Sequence, residues 1–436
     1  MGGMTDPHGP LRGDQTGELL RLALQASGLD LVSWQRTHLF ERPGAETTGI
    51  FAVTASSAGR TVSLHLIGST VELTAGQRRS LGAVRLSPEL SAGLSPGAGG
   101  ASAGRDAQTA VHFWPHPADP ALPGLPAACD PSQLGDRISA ATGEPAVVGE
   151  LSMLVLRPLR RAVLRASVST PAGNSRTVFV KVLRPERSVL QLRRHALAWG
   201  APAAVDLGEG LIMLEQAPGL PLTEHLHHPG SRAGTDSAAL ARLTPQTLLS
   251  PLDRLGTDAE AAGGILSLPR RAAQADRLED YAGVAVRTGA DPLRVRGLCR
   301  GIRRRLVQEH GPPVPTHGDF HPANIFFRLE PGREGAREMA PSALIDVDTL
   351  GPGRRADDLA CLLAHLLTLP TLDADGYAEV PRLAEAVRSC AAESSDAADL
   401  GARTAGVLLS LLPSAQTAER GSAWLDLAER SLHECD

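Results

Sequence analysis

The residues best suited to chemistry lie in two short segments, 316–324 (THGDFHPAN) and 345–348 (IDVD). Transfer of a phosphoryl group from a nucleotide to a hydroxyl or amine requires a carboxylate that orients and deprotonates the acceptor. It also requires oxygen ligands that hold Mg²⁺ on the phosphates. Asp319 and Asn324 share one predicted loop, where they can point to opposite sides of a transferring phosphate. Asp346, at the end of a predicted strand, would bring a second oxygen ligand.

These segments are part of an ordered series that ends with Asp-Leu-Ala at 358–360. The series H-G-D-x-x-x-x-N, I-D-x-D and D-L-A resembles the signature of the aminoglycoside phosphotransferase and choline kinase-like superfamily, whose fold is similar to that of protein kinases. The resemblance implies that Asp319 is the catalytic base and that His317 and Asp358 brace its loop. It also implies ATP and Mg²⁺ as cofactors. The metal ligands implied in this way are Asn324, Asp346 and, as a further candidate, Asp348.

One cationic residue stands out from the composition. Of the 43 Lys and Arg residues, Lys181 is the single lysine. It lies on a predicted strand, 178–183, in which Phe179, Lys181 and Leu183 share one face. In kinase-like folds a compact lysine ammonium at this place contacts the α- and β-phosphates of ATP. The wider, planar guanidinium of arginine would contact the phosphates with a different geometry. We therefore predict that Lys181 binds the nucleotide.

Two further elements near Lys181 are candidates for nucleotide binding. The apolar runs 151–156 and 162–168 predict a hairpin whose cationic tip, 157–161 (RPLRR), stands where related kinases carry a glycine-rich loop. Phosphate contact by this tip and a simple solvated turn are both compatible with the sequence. Residues 214–217 match the segment whose backbone binds adenine in related kinases. The candidate nucleotide-binding residues are Arg157, Arg160, Arg161, Glu215, Gln216 and Ala217.

The sequence departs from the family pattern in the helix that follows Lys181. Residues 187–199 contain no acid, so the glutamate that usually pairs with the lysine is missing, and Glu186 or Gln191 are imperfect replacements. This departure keeps open a catalytically degenerate protein that binds a nucleotide or a partner. Such a protein would leave the intact pattern of Asp319, Asn324 and Asp346 unexplained.

A second alternative is a dinuclear metallophosphoesterase. The run Gly318-Asp319-Phe320-His321 is similar to the G-D-x-H opening of that class, in which Asp319 and His321 would be metal ligands. The class also requires G-D-x-x-D-R-G and G-N-H-E, and neither occurs. The histidines at 225, 227 and 228 lie in a predicted loop and are interpreted as solvated residues.

The pattern of apolar residues predicts an α+β protein, and the superfamily resemblance implies a bilobal, protein kinase-like fold. A small β-rich N-lobe and a helical C-lobe follow an N-terminal α/β extension that resembles a cap domain. The predicted divisions are a β-rich extension over 1–86, a flexible Gly/Pro/Ala-rich linker over 87–130, the N-lobe over 131–220, and the helical C-lobe with the catalytic and metal-binding loops over 221–436.

Composition limits the partners. The 436 residues are 42% apolar and 21% charged with a formal net charge of −5, which disfavours a nucleic-acid partner. No apolar run approaches the ~20 residues of a membrane span, and five cysteines without C-x-x-C spacing fit a reducing cytoplasm. Residues 361–436 carry twelve acids and five arginines, which would attract a cationic acceptor such as an aminosugar. We predict a small-molecule acceptor, namely an aminoglycoside-like antibiotic, a sugar or an aminosugar, and leave the oligomeric state open.

Overall fold

The computed structural model describes most of the chain. The described residues are 10–13, 15–41, 46–86, 110–228, 243–306, 311–331, 337–393 and 395–433. The chain divides into two compact units, of which the first comprises Met1–Val189 with Val205–Leu214 and the second Leu190–Ala204 with Glu215–Asp436. Most of the predicted linker, residues 87–109, lies outside the described residues.

An antiparallel sheet forms the N-terminal part of the first unit, with strand order β1-β2-β3-β5-β4. Its elements are α1 (Gln15–Gln25), β1 (Asp30–Glu41), β2 (Thr47–Ser57), β3 (Arg60–Ser69), α2 (Ala75–Leu81), β4 (Val84–Leu86) and β5 (Val111–Pro115). The apolar face of α1, with Leu20 and Leu24, packs in one core with Phe51 and Phe113. Thr74 accepts a hydrogen bond from Gln77 N and caps α2.

Residues 110–130 also differ from the expected linker. Val111, Phe113 and Trp114 of β5 are buried, and β5 pairs with both β3 and β4. Leu125–Ala128 forms a short helix, α3, which contributes Leu125 to the next core. The many prolines suggested an extended linker, but the buried aromatic and aliphatic side chains stabilise ordered structure here.

A second antiparallel sheet completes the first unit, in the order β6-β7-β8-β10-β9. Its elements are α4 (Pro131–Thr142), β6 (Val147–Arg157), β7 (Arg161–Ser169), β8 (Ser175–Leu183), β9 (Ala204–Gly208) and β10 (Leu211–Glu215). The helix α5 (Pro185–Leu197) begins in this unit and belongs to the second unit from Leu190 onwards. The predicted hairpin and the strand that carries Lys181 are confirmed. Val178, Val180 and Val182 of β8 face the core formed with α3 and α4, so Lys181 lies on the other face of the strand.

The second unit is largely helical, as the sequence predicts. Its helices are α6 (Leu222–Leu226), α7 (Pro245–Arg254), α8 (Ala259–Leu266), α9 (Leu278–Arg287), α10 (Pro292–Arg305), α11 (Arg355–Thr368), α12 (Val380–Ala392), α13 (Ala397–Leu411) and α14 (Ala418–His433). Its strands are β11 (Leu220–Pro221), β12 (Val314–Thr316), β13 (Ile325–Pro331), β14 (Arg337–Leu344) and β15 (Gly351–Gly353). Strand β13 pairs with β11 and β14, and β12 pairs with β15. No helix of the described residues is long and apolar enough to cross a membrane.

Candidate active site

The loop that carries Asp319 connects β12 to β13 and requires a glycine at its start. Gly318 has a φ of +79°, a conformation that strains other residues. A Cβ at this position would lie 2.9 Å from both the carbonyl oxygen and Oγ1 of Thr349. The loop therefore approaches the segment that follows β14 too closely for any side chain at position 318.

His317 joins this loop to the end of β14. Its buried ring donates from Nε2 to the Ile345 carbonyl, 3.0 Å away, and Nδ1 accepts from Asp319 N at 3.3 Å. Burial lowers the pKa of His317, which favours the neutral ring that this pair of bonds requires. Thr349 Oγ1 donates to the His317 carbonyl at 2.8 Å. The backbone that precedes Asp319 is thus tied to residues 345–349.

Asp358, near the start of α11, also binds the backbone of this loop. Its carboxylate accepts hydrogen bonds from the backbone N–H groups of His317, at 2.9 Å, and Gly318, at 2.7 Å. Burial raises the pKa of Asp358 to about 7, although the two donated hydrogen bonds favour the carboxylate. This geometry places Asp358 in contact with the backbone of the loop rather than with the solvent-facing side chains.

Asp319 is the acid of this loop that reaches solvent. Its side chain is 35% exposed, whereas Asn324 is buried. The amide nitrogen of Asn324 lies 3.0 Å from the Asp319 carbonyl and 3.0 Å from His321 Nε2. Both amide hydrogens are therefore used, and the geometry leaves Asn324 Oδ1 available as an acceptor or metal ligand.

Asp346 is brought to this loop by the backbone of β14. Ile345 N donates to the Asn324 carbonyl at 3.0 Å, and Asp346 adopts a left-handed conformation with φ of 53° and ψ of 47°. Aspartate tolerates this conformation better than most residues. Asp348 follows in a 3₁₀ turn, Val347–Thr349, and its carbonyl accepts a hydrogen bond from Arg194 of α5.

The donor set suits Mg²⁺ held together with a nucleotide. Within the described part of the chain, no group of three or more His, Cys, Asp or Glu side chains could hold a metal by itself. Mg²⁺ is commonly bound by one or two carboxylates together with substrate phosphates, so Asn324 Oδ1 and Asp346 form a fitting open set. The dinuclear alternative gains no support, because His321 Nε2 is already bonded to Asn324.

Lys181 and the arginine tip lie in the first unit. Lys181 is only 6% exposed and pairs with Val163 of β7. At the hairpin tip, Leu159 is buried with φ of 66°; its N–H donates to Asp119 Oδ2 at 2.8 Å, and its carbonyl accepts from Arg184 Nε and Nη2 at 2.9 and 2.8 Å. The tip is therefore an anchored turn.

Arg157 and Arg160 line a cavity of about 310 Å³ beside Leu39, Phe40, Glu46, Thr48 and Pro158.

The predicted adenine segment begins where β10 ends. Glu215 is the last residue of β10 and its N–H donates to the Ala203 carbonyl at 3.0 Å, whereas Gln216 is exposed and Ala217 is buried. The two candidates for the missing glutamate also differ in burial. Glu186 is exposed in the first turn of α5, whereas Gln191 is buried.

The three histidines at 225, 227 and 228 are not all solvated. His225 is buried, and its Nε2 lies 3.2 Å from the Phe327 carbonyl. His227 Nε2 lies 2.8 Å from Asp373 Oδ2. The prediction of solvated histidines is wrong for His225, which lies in α6, because the pairing of β11 with β13 brings α6 against the buried strand.

Several residues at the site were not predicted. Arg194, Thr349, Cys361 and His365 all contact the two loops or their residues. Arg194 and Thr349 carry no distinguishing pattern in the sequence. Cys361 and His365 could have been found from their spacing, because they follow Asp358 by three and seven positions on one predicted helix.

This α+β fold brings Asp319, Asn324 and the strand end that carries Asp346 together in its helical unit, which is the arrangement expected of the kinase-like class. A model of the phosphotransferase enzyme family matches residues 172–393, slightly more than half of the chain, and the protein belongs to this family. The predicted superfamily resemblance and fold class are thereby confirmed. No curated protein matches the chain.

Solved structures with detectable similarity are distant. An apo thermostable mutant of aminoglycoside phosphotransferase APH(4)-Ia is 13% identical, with a TM-score of 0.42, over 69% of this chain and 98% of that one. The macrolide 2'-phosphotransferase MphH from Brachybacterium faecium is 20% identical, with a TM-score of 0.36, over 70% and 97%. A choline/ethanolamine kinase family protein from Mesorhizobium loti is 15% identical, with a TM-score of 0.39, over 71% and 91%.

Proposed function

We propose that the protein transfers the γ-phosphoryl group of ATP to a hydroxyl, or an amine, of a small molecule. The observation that carries this proposal is the arrangement around Asp319. Its carboxylate is partly exposed on a loop whose backbone is held by His317 and Asp358. The same loop presents Asn324 next to the strand end that carries Asp346.

The reaction needs little covalent chemistry from the protein. Asp319 would accept a hydrogen bond from the acceptor hydroxyl and take its proton as the acceptor oxygen bonds to the γ-phosphorus. The bond from the γ-phosphorus to the β,γ-bridging oxygen breaks, and ADP leaves with that electron pair. The proton on Asp319 then returns to solvent. Fixing the backbone of Asp319 supports this role, because positioning is most of catalysis in phosphoryl transfer.

Asn324 Oδ1 and the carboxylate of Asp346 would hold Mg²⁺, with Asp348 as a further candidate. When bound, the metal neutralises charge on the phosphates. The chain's own contribution is to orient the Asn324 amide through its two hydrogen bonds to Asp319 O and His321 Nε2.

Lys181 is proposed to contact the α- and β-phosphates of ATP. Its burial supports this role, because a lysine residue that is 6% exposed has less freedom to move than one on the surface. The residues of the arginine tip and the 215–217 segment are retained as candidates for phosphate and adenine contact. They are Arg157, Arg160, Arg161, Glu215, Gln216 and Ala217.

The acceptor is proposed to be an aminoglycoside-like antibiotic, a sugar or an aminosugar. The acidic balance of residues 361–436 favours a cationic acceptor, although one of these carboxylates, Asp399, is already paired with Arg403. The remaining exposed acids would attract a cation by long-range electrostatics.

ADP release should be measured against a panel of aminoglycosides, sugars, aminosugars and amino alcohols. Asp319→Asn should abolish acceptor-dependent release, whereas Asp375→Asn, at an exposed position of the same unit, should leave it unchanged. Equal activity of the wild type and Asp319→Asn would overturn the assignment of the base. If no acceptor is phosphorylated and calorimetry detects no MgATP binding, the degenerate partner-binding alternative replaces the proposal.

A further inference from the structure

One face of α11 contacts the loop that carries Asp319. Asp358, Cys361 and His365 occupy positions i, i+3 and i+7 of this helix, which places them on one side. Asp358 binds the N–H groups of His317 and Gly318. Cys361 contacts the side chain of Asp319, and His365 contacts the ring of His321, as detailed below. Successive residues on this face of α11 therefore contact successive residues of the loop.

The Cys361 thiol donates to the candidate base. Sγ lies 3.8 Å from Asp319 Oδ1, which makes this a long, weak hydrogen bond from the thiol. Cys361 is buried, whereas the Asp319 side chain is partly exposed. A weak donor on Oδ1 restrains the rotamer of Asp319. The other oxygen, Oδ2, lies 3.9 Å from His321 Nε2, beyond hydrogen-bond distance, and can accept a hydrogen bond from an acceptor molecule.

His365 acts on Asn324 through one intermediate. Its ring stacks on His321, with centroids 4.4 Å apart and an angle of 21° between the planes. His321 Nε2 in turn lies 3.0 Å from Asn324 Nδ2. A flat ring against His321 fixes the plane in which Nε2 can accept this hydrogen bond, and so fixes the direction of Asn324 Oδ1.

We propose that Cys361 and His365 are positioning residues for phosphoryl transfer, Cys361 for the carboxylate of Asp319 and His365, through His321, for the metal-ligating oxygen of Asn324. The inference rests on the proposed function. If the two side chains only filled space in the core, any substitute of similar volume would serve equally well.

For Cys361, the test compares a variant that keeps a donor with one that removes it. Cys361→Ser should retain kcat for ADP release within about twofold, whereas Cys361→Ala should lower kcat about three- to tenfold with an unchanged KM for ATP. Thermal unfolding of both variants controls for folding. Wild-type kcat in Cys361→Ala, or an equal loss in both variants, would show that the donor does not matter and would overturn the role of Cys361.

For His365, the test compares a flat ring with an aliphatic side chain and measures binding instead of turnover. Calorimetry should show that His365→Phe binds Mn²⁺ in the ADP complex within about twofold of the wild type, and that His365→Leu binds it about tenfold more weakly. Metal-free ADP should bind all three proteins equally. If His365→Leu does not fold, His365→Met replaces it. Unchanged Mn²⁺ affinity in the aliphatic variant, or equal weakening in His365→Phe, overturns the role of His365.

Failure of the proposed function and failure of the positioning roles give different experimental results. If the wild type binds no MnADP and turns over no ATP, the proposed function fails, and this inference fails with it. If the wild type binds MnADP and releases ADP while the variants behave alike, only the positioning roles of Cys361 and His365 are overturned.

Discussion

The carboxylate of Asp358 accepts a 2.7 Å hydrogen bond from the backbone N–H of Gly318, the residue that precedes the candidate base. Because Gly318 has a left-handed backbone and no side chain, this N–H is the group through which α11 can hold it. The position of Asp319 is therefore set from a helix about forty residues further along the chain.

Replacing Asp358 should lower the stability of the fold. Asp358→Ala leaves two buried N–H groups without an acceptor and should lower the free energy of unfolding by about 2–4 kcal/mol. Asp358→Asn keeps one acceptor oxygen and should cost less. Urea denaturation measures the loss of stability in the two variants. The control is Asp280→Asn, at an exposed acid on α9. Equal stability of Asp358→Ala and the wild type would contradict the bracing role.

Arg403 joins α13 to α11 through a buried ion cluster. The guanidinium is 1% exposed, binds Asp399 through Nε and Nη2, and binds Asp357 through Nη1. Arg403→Ala should lower the free energy of unfolding by about 3–5 kcal/mol, because two buried carboxylates would lose their cation. Arg388→Ala, at an exposed pair with Glu385, should change it by less than about 1 kcal/mol. Chemical denaturation of the two variants gives the comparison.

Protonation of His365 should destabilise the fold at acid pH. Burial, and then the neighbouring His321, lowers the pKa of His365 from 6.5 to about 3. Between these values the unfolded chain binds a proton that the folded chain excludes. The free energy of unfolding should therefore fall as the pH drops below 6.5, by about 1.4 kcal/mol per unit from this residue. His365→Phe should reduce that slope in denaturation curves recorded at about pH 7.5 and about pH 5.5. An unchanged slope would show that His365 titrates normally.

Asp119 anchors the arginine tip of the β6–β7 hairpin. Besides Leu159 N, it accepts from Ala121 N and Leu122 N at 2.8 and 3.1 Å. Asp119→Ala should release the tip, and trypsin should then cleave after Arg160 and Arg161 in the otherwise folded protein. Asp130→Ala, which removes the cap of α4, is the control and should leave the tip resistant. Mass spectrometry of the first fragments identifies the cleavage site, and a resistant tip in Asp119→Ala would contradict the anchor.

Lys181→Arg tests whether the single lysine is required. The substitution conserves the charge but should lower kcat/KM for ATP more than tenfold, because the guanidinium is wider and planar. Arg176→Lys, at an exposed position of the same strand, should have no such effect. The unfolding midpoint of both variants should stay close to that of the wild type. Normal turnover of ATP by Lys181→Arg would remove Lys181 from the proposed nucleotide site.

Much of the local structure could be predicted from residue patterns. The alternation of residues over 178–183 predicted the strand that carries Lys181 and the face on which Lys181 lies. By contrast, β1 and β5 were missed, because pairing in a sheet depends on partners far away in the chain and proline suggested an extended segment. The burial of Trp114 and Phe113 is a property of that pairing.

The sequence by itself determined which residue types the candidate site has, since the order of His317, Asp319, Asn324, Asp346 and Asp358 is a linear pattern. Only the tertiary structure decided what holds them. Arg194 on the loop of Asp348, Cys361 at Asp319 and His365 at His321 join segments that are separated by tens to more than a hundred residues. Contacts of this kind arise when helices and strands pack together, and no local periodicity encodes which side chains will meet.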